Sequence, residues 1–167
     1  MITMLLISIS LVVLYVGTTI WIKKELPDSI SAMVYDLPEG GWRWLWTVWL
    51  AVVNVLTFAP AIEILDHSDL GFVGFLTMAM IAFVAVWPLF DKDHRKAHYV
   101  LGVLAGIMSQ VCVAIVSPWW LVTWMLYVAL ILLSSYTQYK WLDYTYGKGV
   151  FIIEMTCYLT QTGASLV

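Results

Sequence analysis

Three places in the chain hold side chains whose types and spacing suit chemistry. His94 and His98 stand at i, i+4, which stacks them on one face of a helix and suits two ligands to a single metal. Asp91 or Glu154 would add a third ligand and leave an open position for an activated water, with zinc the natural ion. Ser29, Ser31 and Tyr35 bring hydroxyl groups on the longest polar connection. A structural role is the plainer alternative: Asp91 or Asp93 caps the following helix, and the histidines sit at a wet headgroup surface. No G-x-S-x-G, P-loop or H-E-x-x-H is present, so a nucleophile elbow, nucleotide hydrolysis and the zincin pattern find no support.

The elements that must position these residues are membrane helices. Of 167 residues, 62% are hydrophobic and only 11% charged, and the mean hydropathy is +0.89. Soluble domains carry about 25% charged residues. Disorder, a disulfide-stapled secreted domain and a nucleic-acid-binding module are excluded, since they need low hydrophobicity, many cysteines and clustered basic charge respectively. Crossing the hydrocarbon takes about 20 apolar residues, and six stretches are predicted to do so. They run over 2–22, 42–65, 70–90, 97–117, 119–139 and 149–167, the last being the least apolar. Short links at 66–69 and at Ser117-Pro118 make neighbours antiparallel. The expected fold is an all-α, up-and-down transmembrane bundle forming a single domain over 1–167.

Basic residues set the orientation. Lys23, Lys24 and Arg43 flank the first connection, Lys92, Arg95 and Lys96 the third, and Lys140 and Lys148 the fifth, which accounts for all eight. Positive residues stay cytoplasmic, so both termini are expected outside, in a multi-pass protein of a cell membrane such as the bacterial inner membrane. The first span lacks a basic n-region and a small-x-small site before Lys23, so it reads as a retained helix and not as a cleaved signal. Trp42, Trp44, Trp46 and Trp49, with Trp87, Trp119 and Trp120, cluster at span ends and are expected to be interfacial anchors. Cys112 and Cys157 fall at different depths and read as unpaired buried thiols.

Polar residues within spans are expected to face the bundle. Gly102, Gly106 and Gln110 continue the four-residue spacing of His94 and His98, which predicts a close helix contact bridged by the glutamine. Glu154, Tyr158, Gln161 and Ser165 share one face of the last span. Asn54, Thr57 and Pro60 interrupt the second span. In the first connection, Asp28 is expected to cap a short helix with a stripe of Ile30, Met33 and Val34. That segment should fold back against the mouth of the bundle near His98 and Glu154, forming a polar cluster of Ser29, Ser31, Tyr35, Asp91, His94, His98 and Glu154.

The run Pro27-Asp28-Ser29-Ile30-Ser31-Ala32 with Tyr35, placed straight after a first span, resembles small bacterial multi-pass membrane proteins with a Ser-Ile-Ser…Tyr segment there. Asp91 and His98-Tyr99 match the acidic loop and His-Tyr pair of the same group. More remotely the pattern resembles the alkaline-ceramidase and adiponectin-receptor-like superfamily of zinc-dependent membrane hydrolases. That resemblance would imply roles for Ser29 or Ser31, Asp91 and His98. The chain departs from it in having six expected spans where the superfamily has seven, and Glu154-x-x-x-Tyr158 where a late His-x-x-x-His would stand.

Three functions compete. The first is a bundle without an evident catalytic centre or cofactor, interacting with membrane lipids, with a second copy or with another membrane protein. The second is a metal-dependent lipid amidase or esterase facing the cytoplasm. The third is a small oligomeric transporter using Asn54, Gln110, Glu154 and Gln161 as a polar track.

Overall fold

Continuous apolar runs punctuated by Pro and Gly become helices, and no strand is present among the described residues. A computed structural model of the chain describes residues 1–38, 42–67, 69–86, 95–129 and 148–166. The elements are α1 (Ile2–Lys23), the 3₁₀ helix η1 (Ser31–Asp36), α2 (Arg43–Asp66), α3 (Gly71–Val86), α4 (Arg95–Val116), the 3₁₀ helix η2 (Pro118–Val122) and α5 (Lys148–Ala164). Residues 123–129 are also helical. Three of these helices, α1, α2 and the 97–116 part of α4, are long and apolar enough to cross a bilayer, and α3 is a shorter apolar helix. Asp91 and His94 lie outside the described residues, as do residues 130–139 of the expected fifth span.

α2 is the central post: it packs against α1, α3, α4 and α5. Its side chains reach main-chain carbonyls on both sides. Trp49 Nε1 donates to Leu11 O of α1 at 3.1 Å, while Thr47 Oγ1 and Asn54 Nδ2 donate to Ala85 O and Met78 O of α3, each at 2.8 Å. One apolar core joins Val12 and Val16 of α1, Met33 and Val34 of η1, Trp46 and Val53 of α2, and Phe151 of α5. A second joins Leu65, Val73 and Cys112. The outer faces carry exposed Leu6, Val13, Leu14, Phe72, Phe75, Val103 and Ile107, as a lipid-facing surface requires.

The close helix approaches differ from the expected pair. A Cβ added at Gly102 meets nothing within 4 Å among the described residues, and one at Gly106 reaches only Cys157 Sγ at 3.8 Å. Tight packing falls instead at Gly74, where a Cβ would stand 2.6 Å from Ile62 Cγ1, and at Gly163, 2.5 Å from the Trp120 ring. The four-residue spacing identified a face of α4 correctly for Gln110 but not how near a neighbour comes to each glycine. The Trp assignment also needs correction. Trp42 and Trp44 are exposed as anchors should be, whereas Trp46 is completely buried. Trp44 and Trp46 stand two residues apart on α2, about 200° around the helix, so they face opposite ways, while Trp42 precedes the first helical residue.

Candidate functional site

The first connection is folded onto the basic end of the bundle, and one residue of it is held from both sides. The Ile30 N–H donates to Glu154 Oε2 of α5, and the Ile30 carbonyl accepts from Trp46 Nε1 of α2 at 3.1 Å. The same carbonyl takes the Met33 N–H at 3.3 Å, which starts η1. Met33 and Val34 then enter the core with no exposed surface. The Ser29 hydroxyl, one residue before the Ile30 N-cap of η1, accepts the Ala32 N–H at 2.9 Å and lies 3.1 Å from Ser31 Oγ. A serine accepting the amide three residues on serves a donor that has no partner within the first turn of a helix. The segment is pinned again at its far end, where Lys23 pairs with Asp36.

Glu154 therefore anchors a main-chain amide, and no cation is hydrogen-bonded or ion-paired to it among the described residues. Neither Ser29 nor Ser31 is hydrogen-bonded to a His, Asp or Glu among the described residues, so no nucleophile–base pair is formed there. His98 is half-buried, and its Nδ1 has no hydrogen-bond partner among the described residues. Among the described residues no hydrogen bond or ion pair joins His98 to Glu154 or to the first connection. Three His, Cys, Asp or Glu side chains do not converge at metal-binding distance among the described residues. The alternative ligand set includes Asp91 and His94, which lie outside them.

Around the clamp, two cations lie over exposed rings. Lys24 Nζ stands 5.0 Å from the Trp21 ring centroid, and the Arg43 guanidinium 5.3 Å from that of Tyr35. Trp21 and Tyr35 are 71% and 61% exposed. Such pairs keep an amphipathic ring and a charge together at one depth.

Comparison with protein-family models, curated proteins and solved structures gives no match. The reading of the site rests on its own geometry.

A second polar cluster lies deeper, and Gln110 is its hub. Gln110 Oε1 accepts from Trp124 Nε1 at 2.8 Å and Thr160 Oγ1 at 3.0 Å, while Nε2 donates to Ser109 Oγ at 3.0 Å and reaches toward Cys157 O at 3.5 Å. The expected cross-helix role of Gln110 is met by partners on α5 and on residue 124. A third group joins α1, α2 and α5: Ser8 Oγ lies 2.8 Å from Thr57 Oγ1 and 3.0 Å from the Tyr158 hydroxyl. Sequence reasoning placed Glu154 and Tyr158 on one face. It did not find Trp46, Ser8, Trp124 or Thr160 as their partners and neighbours. An indole within an apolar run carries no mark of the carbonyl it serves, and Ser8, one of two serines in the first span, has no periodic signal.

Proposed function

We propose that this chain is a multi-pass integral membrane protein of six spans, with both termini outside, acting as a lipid-interacting accessory bundle. Its work lies in what its ordered cytoplasmic rim binds. The observation that carries the reading is the double anchorage of Ile30 by Glu154 and Trp46, which uses one of the two carboxylates considered as metal ligands as a structural acceptor. That anchorage ties residues 29–36 to the bundle, and the Trp21–Lys24 and Tyr35–Arg43 pairs flank the segment. Aromatic rings and cations together suit the headgroup layer, where a phospholipid offers a phosphate to the cation and a glycerol region to the ring.

Native mass spectrometry of the detergent-purified protein with added phosphatidylglycerol tests this. The wild type is expected to retain lipid through detergent release, and Trp21→Ala combined with Tyr35→Ala to lose most of it. Equal retention by both proteins refutes the headgroup role.

A further inference from the structure

α1 ends on a residue of an unexpected type. Lys24 lies in the left-handed region, at φ 59° and ψ 21°, and its N–H closes the helix onto Ile20 O at 2.8 Å. Glycine is the usual occupant of such a turn, because a Cβ there crowds the backbone. The other non-glycine residue at positive φ among the described residues is Asp69, whose short polar side chain suits that region. A lysine has no such relief. Nor does the helix end need its charge, since Lys23 already places a cation in the last turn. The turn instead separates the two neighbouring ammonium groups. Lys23 pairs with Asp36, whereas Lys24 stands over the Trp21 ring and makes no ion pair among the described residues. With Ile22 also exposed beside Trp21, the span end presents an open corner of ring, apolar side chain and cation.

The charges around this corner discriminate between headgroups. In the described part of the first connection and its flanks, Lys23, Lys24 and Arg43 are matched by Glu25, Asp28 and Asp36. Over the whole sequence, Glu63, Asp66 and Asp69 at the far end of α2 equal the formal net charge of −3, so the remainder carries as many bases as acids. Sequences that recognise anionic lipid gather about four to eight Lys and Arg in surplus. A balanced rim exerts no net pull on an anionic headgroup. It does complement a headgroup that carries one charge of each sign: a phosphate meets the ammonium of Lys24, and an amine meets the carboxylates of Glu25 and Asp28, both exposed and close along the chain.

We propose that Lys24 is kept in its left-handed turn to take the phosphate of a zwitterionic phospholipid, with Trp21 against the glycerol region and Glu25 and Asp28 on the side of the amine. The inference rests on the headgroup role proposed above, and adds to it the lipid class and the residue that reads it. Backbone strain at an exposed helix end is retained where the side chain it aims has work to do. Here that side chain is the cation beside the exposed Trp21 ring.

Native mass spectrometry with equimolar phosphatidylethanolamine and phosphatidylglycerol, run beside reversible unfolding in detergent, tests this. The wild type is expected to retain phosphatidylethanolamine in preference to phosphatidylglycerol. Lys24→Gly is expected to retain about fivefold less phosphatidylethanolamine, the attraction of one surface cation, while its folded-to-unfolded ratio stays level or rises as the strained turn is relieved. Lys24→Asn, neutral and also at ease in the left-handed region, is expected to behave alike and serves in its place should the glycine variant fail to fold. A wild type with no preference, or with a preference for phosphatidylglycerol, overturns the proposal. So does a Lys24 variant that keeps its lipid, and one that keeps its lipid while losing stability assigns the lysine to the helix end alone. Failure of the underlying headgroup role is distinct, because Trp21→Ala combined with Tyr35→Ala then also retains lipid as the wild type does.

Discussion

Replacing Glu154 with leucine should release residues 29–36 from the bundle, and the geometry sets the size of the effect. The Ile30 N–H has Glu154 as its acceptor, whereas the Ile30 carbonyl has two donors, Trp46 Nε1 and the Met33 N–H. Loss of Glu154 thus strands an amide, while loss of the indole leaves the carbonyl served. Leaving a buried donor without its acceptor costs about 1–3 kcal/mol. Taking about 2 kcal/mol for Glu154→Leu, the equilibrium for local opening of the segment rises roughly 30-fold, since about 1.4 kcal/mol is a factor of ten. Glu154→Gln keeps a carbonyl oxygen in place as acceptor, so its effect should be about threefold, on the order of 0.7 kcal/mol. Hydrogen exchange in lipid nanodiscs measures this at the amides of Ala32, Met33 and Leu37, which bond to Ser29 Oγ, Ile30 O and Val34 O. Their protection should fall by these factors while amides in the middle of α2 keep theirs. Identical protection in the leucine variant and the wild type refutes the anchorage, and so does a glutamine variant that opens as widely as leucine.

Other expectations follow the same contacts. Gln110→Leu should destabilise the protein by about 2 kcal/mol in reversible unfolding, since it strands the Trp124 N–H; a double-mutant cycle with Trp124→Phe should recover at least half of that loss, and strict additivity would count against the hub. Gly163→Ala should cost about 1–3 kcal/mol because its methyl meets the Trp120 ring, whereas Gly102→Ala should be neutral or stabilising by up to about 1 kcal/mol, the ordinary helix preference. Thermal unfolding of the two variants in one detergent distinguishes them, and a reversed order refutes the packing. Cysteines introduced at Asp69 and at Glu25 should react with impermeant reagents from opposite faces of the membrane; labelling from one face removes the six-span arrangement.

Much of this was legible in the residues, within limits that have physical causes. Apolar run length marked α1, α2 and α4 to within a few residues, and Ser117-Pro118 marked the break before η2, because chain length and proline geometry act locally. The return of residues 29–36 toward Glu154 was also legible: charge placement puts the loop and the start of α5 at one end, and prolines with an Ile30/Met33/Val34 stripe favour order. His98 does not join Glu154, for a shared end of the bundle does not fix which sides of two helices face each other. The same ambiguity hid Trp46, which the pattern could not separate from Trp44. Gly74 and Gly163 have no partner glycine at four-residue spacing, so their close contacts follow only from where Ile62 and Trp120 arrive in space.

The polar face of α5 has a consequence for how the protein is made. α5 is 17 residues long and is not among the helices apolar enough to cross a bilayer by length and composition. Alone in hydrocarbon, its Glu154, Tyr158 and Thr160 would enter without partners, each raising the free energy of insertion. Those partners stand on segments synthesised earlier: Ile30, Ser8 of α1 and Gln110 of α4. In the proposed six-span arrangement α5 thus depends on its predecessors being already in the membrane when it leaves the ribosome, and its lateral exit into lipid is coupled to docking. Biogenesis then carries a built-in order, in which a lesion in Ser8 or Gln110 acts on the integration of a helix translated well after it.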